Sequence, residues 1–128
     1  MQRSVLLTLA GLLVCLPAAG AAASDCALRE ARLQARLAAA RQQGNGTALA
    51  GLETALKEAR RWCRDPSPLG RAHMLVQERR ADVAEQELEL WEAKAAGRAD
   101  GVARRERRLR EAQKALRDAL AARDALGK

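Results

Sequence analysis

The chain has 128 residues, 48% of them hydrophobic but only 2% aromatic, with no Phe and no Tyr, and its formal net charge is +7. A chain this short, drawing its apolar residues chiefly from Ala and Leu, has no large aromatic-packed core, and its single His and three Cys leave it outside the histidine- and cysteine-rich metal-binding classes. The basic balance favours encounters with anionic surfaces and carries no information about fold.

At the start of the chain, Gln2 and Arg3 give a short basic segment and residues 5–16 are almost wholly apolar. Pro17 ends that run, and Ala21-Ala22-Ala23 supplies the small residues a signal peptidase requires. The pattern predicts a secretory signal peptide over residues 1–23, with the mature chain beginning near Ser24. The apolar run is about a dozen residues, below the roughly 20 that cross a bilayer as a helix, and no later segment is apolar enough to do so. Lipid attachment at Cys15 requires a small residue before the cysteine, and Val14 stands there. Export leaves Cys26 and Cys63 in a compartment that favours disulfides, so a single bridge between them is expected.

Ala, Leu, Glu, Arg, Lys and Gln, the best helix formers, dominate the mature chain. Breakers fall at Gly44-Asn45-Gly46, along Asp65-Pro66-Ser67-Pro68-Leu69-Gly70, and from Gly97 to Gly101, so the spacing predicts four helices. Thr47 is expected to cap the second helix, Ser67 with Pro68 just inside to start the third, and Asp100 to cap the fourth. Gly44 and Gly97 stand where a left-handed helix end favours glycine.

The predicted fold class is all-α: one helical domain, 24–128, of two consecutive antiparallel hairpins with coiled-coil-like seams. The first hairpin is 24–64, the linker 65–70 and the second hairpin 71–127. On the first helix Cys26, Leu33, Leu37 and Ala40 share a stripe. On the second, Leu49, Leu52, Leu56, Ala59 and Cys63 recur at steps of three and four, the seam of paired helices. Doubling back at Gly44-Asn45 levels Ala40 with Leu49, Leu37 with Leu52, Leu33 with Leu56 and Cys26 with Cys63. This register buries leucines and brings both sulfurs to the open end, where a bridge requires Cα atoms within about 7 Å.

In the second hairpin Val76, Val83 and Leu90 repeat every seven residues, as do Val102, Leu109 and Leu116, with Ala112, Ala119 and Leu120 between them. Folding at Ala99-Asp100 levels Leu90 with Leu109 and Val83 with Leu116. The same register sets Glu89 near Arg108 and Lys94 near Glu106 as candidate interhelical ion pairs. Farther out Val76 would face Arg123, so the open end should be loose, or covered by the first hairpin or by a second chain.

The run RRERRLR, Arg104 to Arg110, is the densest charge cluster. In a cytosolic chain it would suggest nucleic acid, a partner that export removes. Arg104, Arg107, Lys114 and Arg117 lie roughly along one outer face of the fourth helix. They are the candidate anion-binding residues, suited to phosphates of lipids or other envelope polymers. Against that stands an acidic stripe on the third helix, Glu78, Asp82, Glu85, Glu89 and Glu92, which offers the basic residues a solvated or intramolecular balance.

The remaining chemistry-bearing residues have plain structural readings. His73 has no companions for metal binding or catalysis and is expected on the surface near a helix start. Carboxylates need a cleft for general acid-base work, and two-helix ridges seldom make one. Ser24, Ser67 and Thr47 read as caps, and neither GxSxG nor a glycine-rich phosphate loop is present. Cys26 and Cys63 lack the CxxC spacing of thiol-disulfide oxidoreductases and read as a staple. Trp62 and Trp91 are expected to cover their own hairpins rather than to anchor a partner. Asn45-Gly46-Thr47 matches a glycosylation sequon, yet each residue already has a turn or cap explanation.

Several segments together resemble the family known as domain of unknown function 1090, small exported proteins of Gram-negative bacteria. They are Cys26 opening the mature chain, Gly51-Leu52 and Ala55-Leu56 leading to Cys63, Asp82-Val83-Ala84-Glu85, and RRERRLREAQKAL from Arg104 to Leu116. The chain departs from the family pattern in using Arg where Lys is common, and in the Pro-rich connection after Cys63. The resemblance implies a periplasmic location and paired cysteines, and it brings no catalytic residues with it. The expectation is therefore a non-enzymatic periplasmic protein without cofactor that presents charged helix faces to a protein or an anionic envelope component. Peripheral membrane contact and self-association are compatible with that reading. The alternatives are a binder of anionic lipid or polysaccharide through the last helix and, less well matched, a thiol-disulfide oxidoreductase.

Overall fold

Helices take up most of the residues described by the computed structural model, 21–128; residues 1–20, which hold the apolar run of the expected signal peptide, lie outside them. In chain order the helices are α1 (Ala21–Gln43), α2 (Gly46–Trp62), α3 (Pro68–Ala95) and α4 (Ala99–Leu126). They form the two consecutive antiparallel hairpins expected. None of the described helices is long and apolar enough to cross a membrane.

Local chemistry sets the turns. Gly44 and Gly97 both adopt φ +66°, the left-handed conformation that ends a helix at least cost when no Cβ is present. Ser67 caps α3 as expected, its Oγ accepting the Gly70 N–H at 3.0 Å, with Pro68 in the first turn. The other two caps differ from expectation. Asn45 rather than Thr47 caps α2, its side-chain oxygen accepting the Ala48 N–H at 3.2 Å, because the helix already begins at Gly46 and Thr47 falls inside its first turn. At α4 the N-cap is Arg98, which makes no side-chain cap bond, and Asp100 lies within the first turn, where its charge still meets the positive helix end. The chain reverses at Gly97 instead of at 99–100, so α4 starts earlier than the sequence pattern placed it.

The connection between hairpins is also tighter than the expected 65–70 linker, since Pro68 to Gly70 are already helical. Asp65 accepts the Ser67 backbone N–H at 2.9 Å. Gly70 packs so closely beneath it that a Cβ there would stand 2.4 Å from the Asp65 carbonyl oxygen.

The core lies between the first hairpin and one face of α3. Leu33, Leu37 and Ala40 from α1 meet Ala48, Leu52, Ala55, Leu56 and Ala59 from α2, and Met74, Ala81, Ala84 and Leu88 from α3 close the cluster. The Cys26–Cys63 disulfide joins α1 to the C-cap of α2 across a Cα–Cα distance of 5.7 Å, in the expected hairpin register. Met74, Ala81 and Leu88 repeat every seven residues. They lie about half a turn around α3 from Val76, Val83 and Leu90, the stripe predicted to face α4. Val76 is fully buried yet stands outside the main cluster, while Val83 and Leu90 are half-buried. With apolar residues on opposite faces, α3 is the shared middle helix. Its Gln77, also buried, is satisfied by donating to the His73 carbonyl at 3.1 Å and accepting from Arg80 at 2.9 Å.

No Cα of α4 comes within 8 Å of α1 or α2, so α4 is an edge helix held by α3. Ala119 is its one buried residue, and Val102, Leu109, Leu116 and Leu120 are only partly covered. At the open end of the second hairpin the first hairpin contributes cover to α3. The Trp62 indole stacks on the His73 ring with centroids 3.8 Å apart and planes within 2°. Trp62 thus serves as cover, and His73 is half-buried rather than free on the surface.

Candidate functional site

Because α3 occupies only one side of α4, the opposite side is open along its length. Arg104, Arg107, Lys114 and Arg117, the candidate anion-binding residues, are all exposed, as is Arg110. At about 100° per residue, Arg107, Arg110, Lys114 and Arg117 fall within an arc of roughly 80° and follow one another every three or four residues over about 15 Å. Arg104 lies about 100° from the middle of that arc. It lines a recess beside the α3–α4 turn together with Glu89, Glu92, Arg98 and Arg105. The ridge therefore comprises three of the four expected residues plus Arg110, whose position in the i, i+3, i+7, i+10 series was available in the sequence.

The acidic stripe on α3 was the main argument that these cations merely balance their neighbour. None of its members pairs with a ridge cation. Glu78 pairs with Arg29 at 3.2 Å and Glu85 with Arg36 at 3.3 Å, both across to α1. Asp82 pairs with Arg79 one turn back on its own helix at 3.2 Å. Glu89 pairs with Arg105, and Glu92 accepts from the Gln43 side chain at 2.7 Å. On the ridge itself Lys114 meets Asp118 at 2.8 Å, and the Asp118 carboxyl is held below its ordinary range by that contact. Among the described residues, Arg107, Arg110 and Arg117 make no ion pair.

The expected interhelical pairs are corrected by the same register. Glu89 meets Arg105, one turn before Arg108, and among the described residues Lys94 and Glu106 form no ion pair. Reversal at Gly97 draws the start of α4 back along α3, so that a Cβ on Gly101 would lie 4.0 Å from that of Ala93. Farther along, Val83 and Leu116 border a common recess with Thr47, Ala50, Gly51 and Thr54 of α2.

Trp91 departs from expectation: it is 52% exposed and does not cover its own hairpin. It lines a shallow recess with Asn45, Thr47, Glu87, Leu90 and Lys94. Burial raises the Glu87 carboxyl above its ordinary range. It has no Ser, Cys or His beside it in either recess it lines. Among the described residues no three His, Cys, Asp or Glu side chains converge as a metal ion would require.

Comparison with known proteins adds a family and no activity. The model of the family described as "Protein of unknown function (DUF1090)" matches residues 10–118, a span that takes in the first hairpin, α3 and α4 as far as Asp118, with all four ridge residues. No curated protein and no solved structure matches the chain.

Proposed function

The chain belongs to the DUF1090 family, and from that premise we propose that it is a non-enzymatic, exported helical protein of the periplasm that presents charged helix faces, chiefly the outer face of α4, to a partner outside its own fold. One observation carries this reading: the chain's own acidic stripe is spent on α1, within α3 and on Arg105 near the start of α4, so that none of it reaches the ridge, where among the described residues Arg107, Arg110 and Arg117 make no ion pair and only Lys114 is paired, with Asp118. Two further features support the compartment. The leader pattern at the N-terminus is that of a secreted chain, and disulfides of this kind persist in oxidising spaces. The thin, alanine-rich core suits a stapled body that holds a rigid ridge, and the ridge offers a surface for reversible contact rather than a cleft for chemistry.

The test is chemical crosslinking in intact cells of the natural chain beside the variant R107Q/R110Q/K114Q/R117Q. The variant should keep its helical circular dichroism and melting temperature and lose the crosslinked species formed by the natural chain. An unchanged crosslinking pattern would remove α4 as the presenting face.

A further inference from the structure

Resting on that reading, we propose that the partner of the α4 ridge is the anionic phosphate surface of a lipid bilayer, contacted peripherally with α4 lying along it. Shape, composition and charge lead to the same occupant. The ridge is the outer side of an edge helix and therefore convex: Arg107, Arg110, Lys114 and Arg117 are all exposed, and among the described helices only α3 packs against α4. A plane meets a convex edge along its whole length. A flexible linear polyanion would touch it on one side only and would lose chain freedom in doing so.

Composition separates a bilayer from a protein. Protein interfaces take their affinity from buried aromatic or aliphatic anchors. Between the ridge cations and beyond them, the same face carries Ala103, Ala121 and Ala125 with Glu111 and Asp118 along one border and no large apolar residue, and Leu109, Leu116 and Leu120 are turned toward α3 while only Leu126 at the helix end is exposed. For the same reason the helix cannot sink an apolar face into the bilayer, as interfacial amphipathic helices do. What remains is attraction between fixed cations and laterally mobile anionic headgroups, which gather beneath them without a matched geometry.

Each basic residue near an anionic surface strengthens binding by about fivefold, so four together account for several hundredfold. Such binding must also weaken as the Debye length falls from about 10 Å at 0.1 M salt to about 3 Å at 1 M.

The experiment is sedimentation of the mature, disulfide-bonded chain with vesicles containing phosphatidylglycerol and with vesicles of phosphatidylcholine alone, at these two salt concentrations. Soluble polyphosphate serves as a competing probe. Two variants accompany it: R107Q/R110Q/K114Q/R117Q on the ridge, and R32Q/K57Q/R64Q/K94Q, which removes the same charge from exposed positions elsewhere. We expect binding to the anionic vesicles only, release at high salt, loss of several hundredfold in the ridge variant, and a much smaller loss in the off-ridge variant. Three results would overturn the proposal: no binding to anionic vesicles, equal losses in the two variants, or preference for polyphosphate over the vesicles. If vesicles fail while crosslinking in cells still depends on the ridge, the partner is something other than a bilayer and the presenting-face reading stands. If crosslinking is also independent of the ridge, both fall.

Discussion

Replacing both bridged cysteines, C26S/C63S, removes the staple at the point where the first hairpin has least else to hold it. The last core residues toward that end are Leu33 on α1 and Leu56 and Ala59 on α2. Beyond them Leu28 is 49% exposed, and Glu30 and Arg60 make a surface ion pair at 2.6 Å. Such an exposed pair contributes only about 0 to 1 kcal/mol. The bridge spans a sequence separation of 37 residues. In the chain-entropy description a loop of that size restricts the unfolded state by about 4 kcal/mol, although measured effects scatter around 2 to 4 kcal/mol. Loss of 2 to 4 kcal/mol is a large fraction of what a small domain possesses. Urea unfolding followed by circular dichroism should show the midpoint falling accordingly. Hydrogen exchange should rise most in residues 25–32 and least around Leu52. A midpoint unchanged from that of the oxidised chain, or uniform loosening of both hairpins, would refute the reasoning.

Three other perturbations test separate parts of the packing. Leu52→Ala, at a fully buried position in the centre of the core, should cost about 3 kcal/mol in urea unfolding, whereas Leu28→Ala at the exposed end should cost little. Gly70→Ala places a methyl group against the Asp65 backbone and should cost about 1 to 3 kcal/mol; Gly46→Ala, with nothing within 4 Å of the new carbon, should be close to neutral. Burial holds His73 below its ordinary value of 6.5, with Arg123 and Arg61 acting in the same direction and Glu58 and Asp124 opposing them. The unfolded chain therefore binds the proton first as pH falls. Stability is intact above about 6.5 and declines below it down to the folded-state value. His73→Phe should flatten that decline in urea melts, and a slope unchanged by the substitution would remove His73 as its source.

The first hairpin was legible because its signals agree. Glycine at 44, the leucine stripes and the two cysteines all demand one register, and a shift by a turn would part the sulfurs. The second hairpin carried no such clamp. Its seam alternates valine and leucine with alanine and arginine, so registers one turn apart bury similar area. The local preference of Gly97 for positive φ then decided where the chain reverses. This is why Glu89 meets Arg105 and why Asp100 lies inside α4.

The heptad pattern also has a second stripe on α3, Met74, Ala81 and Leu88, whose alanine and methionine are less conspicuous than valines. Only once α3 is seen between two layers does its diffuse apolar pattern make sense. At the candidate site the cations of α4 were plain in the sequence. What the sequence did not disclose was the destination of the acidic stripe, because Arg29 and Arg36 reach Glu78 and Glu85 only through the packing of α1 beside α3.

The claim on which the account turns is that α4 is held along one side only and meets its partner with the other. A photo-crosslinking residue placed singly along α4 in intact cells measures this directly. Capture of an external partner should peak at positions 107, 110, 114 and 117, while positions 109, 116 and 120 should yield only bonds within the chain. Capture without helical periodicity, or strongest at positions 109, 116 and 120, would contradict it.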